Sequence, residues 1–272
     1  MSNIHTILIP DVHGRDFWKA DIARFPKSEF PDMNIIFCGD YIDPYSFEKI
    51  SCNTALERFK EIIELAKSDA RVKLLLGNHD YHYIHRGDSS RIDYINFFSI
   101  KKIIESNLDL FCIAFTETIN TKKYLYTHAG VTNLWIQEMM RYAGFSLNSK
   151  FVKDEQKQWI RDNIIHFKPT AESLNNLLSN YQGQEFLHMV SYYRGGDYKA
   201  ASCIWADINE HYDQLESHEP SLVDAYQVFA HSLATPSLDE GIVESSFAMI
   251  DSRCTWIIDN DNNILKLKDY EE

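Results

Sequence analysis

Short apolar runs recur along the chain, and each stops at polar residues beside a turn. The first three cover residues 6–9, 35–38 and 72–76, and each has the length and composition of a buried strand. Between the second and the third, residues 53–67 place apolar side chains at helical spacing, which predicts a surface helix with one buried face. Strands that alternate with helices in this way predict βαβ units whose strand ends share one edge of a sheet.

Five predicted strands end on side chains that bind metals or accept protons. Two of them, over residues 123–127 and 226–230, stop beside a histidine. In chain order, the polar residues at the five ends are Asp11, His13, Asp40, Asp43, Asn78, His79, His128 and His231. A buried carboxylate is costly unless a cation or a hydrogen-bond donor compensates it, so the repetition favours a shared site. Taken singly, each ending is also typical of a solvated turn or a helix cap.

The remaining pattern predicts further elements and one helical segment. Residues 91–104 have the spacing of a helix, and His82 and His85 just before them are interpreted as surface or packing residues. Amphipathic pieces predict a helical insertion or cap at about residues 133–190, inside a single domain that covers residues 1–272. Further strands are predicted over residues 110–115, 202–207, 247–251, 255–259 and 264–267.

Composition and charge narrow the class of protein. The 272 residues are 44% hydrophobic and 13% aromatic, enough for one large two-sheet or barrel domain. The 27 basic and 40 acidic side chains give a net charge of −13, which argues against broad nucleic-acid binding. An anionic substrate would then need bound cations to reverse the local field, and this favours a metal site. A solvated acidic surface explains the same charge.

The cysteines and the termini predict a cytoplasmic protein. Five scattered cysteines without a Cys-x-x-Cys pair fit reduced thiols rather than a disulfide framework. We see neither a signal peptide nor an apolar stretch of membrane-spanning length, so no membrane partner is expected. The pattern does not indicate an oligomeric state.

The donor atoms at the strand ends suit two transition-metal ions. The proposed ligands offer oxygen and nitrogen only, and they are Asp11, His13, Asp40, Asn78, His128 and His231. Such a set suits manganese, iron or zinc and disfavours a structural zinc site built on cysteine. Six ligands exceed one tetrahedral site but fit two metals that share a carboxylate, about 3.5–4 Å apart.

The five endings resemble, in order and approximate spacing, the motifs of the calcineurin-like metallophosphoesterases. The motifs are Asp11-Val12-His13-Gly14, Gly39-Asp40-Tyr41-Ile42-Asp43, Gly77-Asn78-His79-Asp80, His128-Ala129-Gly130 and Ala230-His231. The resemblance spans about residues 7–253 and is to the serine/threonine phosphoprotein phosphatases and the bacterial diadenosine-tetraphosphate hydrolases. It implies an α+β fold of four layers, in which two packed mixed β-sheets are flanked by helices and the metals lie at the strand ends.

The resemblance also implies a role for each motif residue. Asp11, His13 and Asp40 would hold the first metal, and Asp40, Asn78, His128 and His231 the second. A hydroxide bridging the two metals would attack phosphorus. His79 would donate a proton or stabilise charge at the leaving oxygen, and Asp43 would orient His79.

Two departures from the family pattern bear on the substrate. The family usually has a phosphate-binding arginine after Asp43, where this chain has Pro44. We expect Arg194 to replace this arginine. Arg194 precedes Trp205-Ala206-Asp207, as an arginine in the family precedes its Trp-x-Asp element, and Arg15 and Arg86 are the next candidates. A second histidine after His231 is absent, because Leu233 stands there, and this resembles the phosphoprotein phosphatases.

Three functions follow in order of preference. The first is a two-metal phosphomonoesterase, similar to a phosphoprotein phosphatase. The second is a dinucleoside polyphosphate hydrolase or phosphodiesterase, so the expected partner is a phosphoprotein, a small phosphate ester or a nucleotide. The third is a non-catalytic metal-binding scaffold, since a fold alone does not assign a function.

Overall fold

Strands and helices alternate along the first part of the chain. The structure, a computed structural model, describes residues 4–85, 91–232 and 240–270. Its strands are β1 (Ile4–Ile9), β2 (Asn34–Phe37), β3 (Val72–Leu75), β4 (Phe111–Cys112), β5 (Ala114–Ile119), β6 (Lys122–Thr127), β7 (Tyr226–Phe229), β8 (Ile242–Val243), β9 (Phe247–Met249), β10 (Trp256–Asp259) and β11 (Ile264–Lys266). Its α-helices are α1 (Phe17–Ala23), α2 (Cys52–Ser68), α3 (Asn78–Ile84), α4 (Phe97–Ser106), α5 (Asn133–Asn148), α6 (Asp154–Asn163), α7 (Ala171–Leu178), α8 (Tyr181–Leu187) and α9 (Ile208–Ser217). Short 3₁₀ helices lie at Ser46–Glu48, Leu108–Leu110 and Tyr192–Arg194.

The strands form two mixed sheets. Within the described residues the first sheet has the order β11-β10-β1-β2-β3-β4, and the second has the order β5-β6-β7-β9-β8. Strands β1 to β4 are parallel, and Phe37 of β2 pairs with Ile9 on one side and Leu74 on the other. Because these strands run in the same direction and in this register, the residues that follow them emerge at one edge of the sheet. Strands β6, β7 and β9 are likewise parallel in the second sheet.

Alternate residues of each strand serve two different cores. Leu8 and Ile36 of the first sheet pack with Tyr126 and Val228 of the second in a buried cluster between the sheets. Their neighbours Ile7 and Ile35, together with Leu74, join the larger core that the helices cover on the opposite face. Period-two alternation of side chains explains why both sets are apolar.

Helix α9 covers the outer face of the second sheet. Its residues Tyr212 and Leu215 pack against Phe229, Phe247 and Met249. The order of layers is therefore helices, sheet, sheet, helix. This confirms the predicted α+β class and the four-layer arrangement of two packed mixed β-sheets flanked by helices.

Some predicted elements were wrong in detail. The helix expected over residues 91–104 begins only at Phe97, because the Asp93 side chain accepts hydrogen bonds from the backbone N–H groups of Ile95 (2.9 Å) and Asn96 (3.0 Å) and forms a turn. The single strand expected over residues 110–115 is two strands, β4 in the first sheet and β5 in the second. The chain changes sheet there, which hydrophobic periodicity does not reveal.

The region after residue 200 also differs from the prediction. Residues 202–207 form a turn and not a strand, with Trp205 and Ala206 both donating backbone hydrogen bonds to the carbonyl of Ser202 (2.8 and 2.9 Å). The helix α9 that follows was not predicted. Its first turn is closed by Asp207, which accepts from the backbone N–H of Asn209 (3.0 Å).

Helices α5 to α8 occupy residues 133–187. The assignment of this stretch as an insertion or cap, and of the whole chain as one domain, stays a prediction. Across the parts of the chain that are described, none of the helices has both the length and the apolar character needed to cross a membrane.

Candidate active site

The first three strand ends are joined by backbone hydrogen bonds. The N–H groups of Val12 and His13 donate to the carbonyl of Asp40 (3.1 and 2.6 Å), and that of Gly14 donates to Tyr41 (2.9 Å). The N–H of His79 in turn donates to the Asp40 carboxylate (2.9 Å). These bonds fix the three loops against one another, so their side chains share one location.

The Asp80 side chain joins the loop at Asp40 and Tyr41 to the loop at Gly77. Its Oδ2 accepts from the N–H groups of Asp40 (2.7 Å) and Gly77 (2.9 Å), and its Oδ1 accepts from Tyr41 (3.0 Å). The side chain is fully buried, and burial raises its pKa well above the usual range. The third motif contains this residue, but no pattern in the sequence indicates its function.

The backbone at the strand ends is in the left-handed region at four candidate residues. These are His13 (φ 44°), Asp40 (φ 52°), Asp43 (φ 58°) and His231 (φ 69°). A non-glycine residue there costs about 1–3 kcal/mol, and such strain is concentrated at functional sites. Gly39 (φ 106°) permits the turn, because a Cβ there would lie 2.5 Å from the Gly77 nitrogen.

Two groups of metal-binding side chains share Asp40. The first contains Asp11, His13 and Asp40, and the second contains Asp40, His128 and His231. Within each group the ligand atoms lie within 4.8 Å of one another. The Asn78 side-chain oxygen lies 3.1 Å from His128 Nε2, and so belongs beside the second group. The structure thus brings together all six predicted ligands.

Backbone carbonyls orient two of the histidines. His13 Nδ1 is 2.9 Å from the carbonyl of Ile42, and His128 Nδ1 is 2.7 Å from that of Cys38. A carbonyl only accepts, so each Nδ1 carries the proton and each Nε2 offers its lone pair. Both Nε2 atoms lie 3.6 Å from Asp40 carboxylate oxygens. This is the orientation that metal-binding histidines require.

The electrostatics of these side chains fit a divalent cation. Burial raises the pKa of Asp11 to about 6 and raises that of Asp40, while burial lowers the pKa values of His13 and His128. In the described part of the chain, the buried Nε2 of His231 has no hydrogen-bond partner. A bound cation would stabilise ionised carboxylates and neutral imidazoles together, because its charge offsets the cost of burying the carboxylates.

His79 and Asp43 form a hydrogen-bonded pair beside the ligand groups. His79 Nδ1 donates to Asp43 Oδ2 (2.9 Å), and Asp43 is almost completely buried. The other carboxylate oxygen accepts from the hydroxyl of Tyr83 and from the backbone N–H of Asp93 (3.1 Å). Asp43 is therefore fixed from several directions and holds the His79 ring in place.

The three arginines named from the sequence differ in position. Arg194 lines the cavity at the site, where its Nε is 2.8 Å from Asp207 Oδ2 and its Nη2 donates to Ser232. Arg15 donates to the carbonyl of Asp11 (2.9 Å) and to Glu48 (3.0 Å), so it supports the first loop. Arg86 lies outside the described residues.

Arg91 is a site residue that the sequence did not reveal. Its Nη2 lies 2.9 Å from His79 Nε2, its Nη1 donates to the carbonyl of Asp43 (3.0 Å), and its guanidinium is 3.8 Å from the ring centroid of Tyr45. The residue was predicted to begin a helix over residues 91–104. Only the turn at Asp93 carries it back over His79, so no local pattern indicates its role.

A cavity of about 820 Å³ opens over these residues. Its far wall contains Tyr142, His188, Val190 and Tyr198, none of which was singled out from the sequence. His82 also lines the cavity and packs against Trp205. His82 and His85 are only 2% and 8% exposed, so of the two interpretations, surface or packing residues, the surface one was wrong.

The fold and the carboxylate–histidine cluster define a metal-dependent phosphoesterase. The sequence profile of the calcineurin-like phosphoesterases matches residues 4–232, and the chain belongs to this family.

Among solved structures, a phosphopantetheinyl hydrolase from Mycobacterium tuberculosis is similar over 92% of this chain and 88% of its own, with 11% identity and a TM-score of 0.33. No curated protein matches the sequence.

Proposed function

We propose that this protein is a phosphatase that hydrolyses phosphomonoesters with two bound metal ions, in the manner of a phosphoprotein phosphatase. The observation that carries the proposal is that Asp40 belongs to both ligand groups, with His79 and Asp43 beside them in the same cavity. A carboxylate shared by two groups is what a two-metal phosphoesterase requires.

The six ligands would divide between the two ions. Asp11, His13 and Asp40 would hold the first, and Asp40, Asn78, His128 and His231 would hold the second. The oxygen and nitrogen donors suit manganese, iron or zinc. When bound, the ions supply Lewis acidity, which neutralises phosphoryl charge and activates water.

His79 and Asp43 would act at the leaving group. Asp43 accepts from Nδ1 of His79 and so directs Nε2 toward the cavity. Nε2 is then the atom from which a proton passes to the leaving oxygen. General acid catalysis of this kind contributes typically about 10²–10⁴-fold to a rate.

The cationic side chains favour a monoester over a diester. A phosphomonoester dianion carries two charges on its terminal oxygens, whereas a diester carries one. Arg91 and Arg194 both line the cavity and provide guanidinium N–H donors for phosphoryl oxygens, although Arg194 is also paired with Asp207. A dianionic phosphoryl group offers these donors more charge than a diester does.

The cavity itself supports a second candidate. Its volume of about 820 Å³ lies in the range of small-molecule sites, and Tyr142, His188 and Tyr198 provide flat surfaces for an organic group. A small phosphate ester or nucleotide fits this description. A dinucleoside polyphosphate hydrolase or phosphodiesterase is therefore the alternative.

Substrate pairs separate these candidates. Hydrolysis of p-nitrophenyl phosphate and of bis-p-nitrophenyl phosphate is compared after loading with Mn²⁺, Fe²⁺ or Zn²⁺, with metal content measured by elemental analysis. We expect faster cleavage of the monoester and about two metal ions per chain. Much faster cleavage of the diester would favour the alternative. Absence of both metal and activity on any phosphate ester would indicate a non-catalytic scaffold.

A further inference from the structure

We infer that Arg91 is the arginine that binds the phosphoryl group of the substrate, in exchange for its hydrogen bond to His79. The inference rests on the proposed function and extends it to a residue outside the family motifs. In this inference Arg91 takes the role of the phosphate-binding arginine that the family usually has after Asp43, where this chain has Pro44.

Arg91 reaches residue 44 from another part of the chain. Its Nη1 donates to the carbonyl of Asp43, and this carbonyl belongs to the peptide bond that joins Asp43 to Pro44. The ring of Tyr45, the next residue, lies 3.8 Å below the guanidinium. The Asp43–Tyr45 segment therefore carries no cation of its own but holds one supplied from residue 91.

The other two arginines are bound differently. Arg15 is paired with Glu48 and with the backbone of Asp11. Arg194 is paired with the carboxylate of Asp207, so a phosphoryl group must compete with a full negative charge for it. Arg91 donates Nη2 to an imidazole nitrogen, which is a weaker acceptor than a charged phosphoryl oxygen. A phosphoryl oxygen would therefore replace this acceptor of Nη2.

The exchange also links binding to the histidine. In the structure His79 Nε2 accepts from Arg91, because a guanidinium only donates. The same nitrogen is the one that would face the leaving oxygen. Movement of Arg91 onto the phosphoryl group would free Nε2 to take up a proton from water and pass it to the leaving oxygen, so that His79 is released only when phosphate is present.

The test uses the metal-loaded protein and two variants of Arg91. Binding of inorganic phosphate is measured by calorimetry and as competitive inhibition of p-nitrophenyl phosphate hydrolysis. We expect Arg91→Gln to weaken phosphate binding and to raise KM by about tenfold or more, with Arg91→Lys between it and the wild type. The exposed Arg161 of α6 provides the matched control, Arg161→Gln, which should leave both constants unchanged.

The outcomes distinguish this inference from the proposed function. If Arg91→Gln binds phosphate as tightly as the wild type does, the role of Arg91 is overturned, even though the wild type hydrolyses phosphomonoesters. A lower kcat with unchanged KM and phosphate affinity would also overturn it, since Arg91 would then only position His79. A crystal structure with phosphate should show Arg91 on phosphate and not on His79. Failure of the wild type to hydrolyse any ester would instead refute the proposed function, and phosphate binding would still test Arg91.

Discussion

Replacement of Asp11 by asparagine should stabilise the metal-free protein while it weakens binding of the first metal ion. Asp11 is 3% exposed, and burial raises its pKa from 3.8 to about 6. At about 1.4 kcal/mol per pKa unit, the ionised carboxylate destabilises the folded state by about 3 kcal/mol at neutral pH. Asparagine removes that charge and keeps an oxygen that can accept the bond from the N–H of His231 (3.3 Å).

Because the pKa of Asp11 is raised in the folded state, the stability difference between the wild type and Asp11→Asn depends on pH. Above about pH 6, Asp11 is ionised in both the folded and the unfolded states, so the full penalty is present. Between about pH 6 and 3.8 the folded state alone takes up the proton and the penalty shrinks. Below 3.8 it is absent. The advantage of Asp11→Asn should therefore be largest at pH 7.5 and should decline as the pH falls below 6.

Urea denaturation in EDTA measures this difference directly. Wild type and Asp11→Asn are compared at several pH values, and the exposed Asp32 provides a control, Asp32→Asn, that should change the free energy of unfolding by less than about 0.5 kcal/mol. Added Mn²⁺ should then stabilise the wild type by more than it stabilises the Asp11 variant, because the variant keeps only the ligands of the second ion intact. A metal-free Asp11 variant that is less stable than the wild type at pH 7.5, or a difference that does not vary with pH, would refute the reasoning.

Three further predictions concern neighbouring residues. Asp40→Asn should remove both metal ions and all activity, because Asp40 belongs to both ligand groups; one retained ion by elemental analysis would contradict its shared role. His79→Asn should lower kcat by about 10²-fold or more and leave the metal content unchanged; an equal loss of metal would show that His79 is a ligand. Asp80→Asn should destabilise the protein by about 1–3 kcal/mol in the same urea assay, since an amide places donors against the N–H groups that Asp80 now accepts; unchanged stability would contradict this.

The sequence was most informative where a strand ends. The alternation of apolar strands with helices predicted βαβ units that share one edge, and the parallel strands β1, β2 and β3 bring Asp11, Asp40 and Asn78 to that edge. The six candidate ligands lie directly after strands that the pattern locates, and the structure brings them together; their role as ligands stays a prediction. The resemblance to the family implied that Asp43 orients His79, and the two side chains are hydrogen-bonded.

The parts that were missed depend on contacts between distant segments. Arg91 reaches His79 through a turn closed by the Asp93 side chain, and helical spacing in the sequence concealed that turn. The switch between β4 and β5 depends on which sheet has room for each strand. The far wall of the cavity comes from α5 and the segment after α8, whose residues have no distinguishing pattern.

The left-handed backbone at His13, Asp40, Asp43 and His231 gives a way to recognise inactive relatives. Glycine would relieve the local strain at each of these positions, but it supplies neither the imidazole nor the carboxylate that chemistry needs there. A chain released from selection for catalysis should therefore drift toward glycine at these positions and become more stable as it does so. A relative that carries several of these glycines, with the rest of the fold intact, should bind no metal and melt at a higher temperature than this protein in its metal-free form.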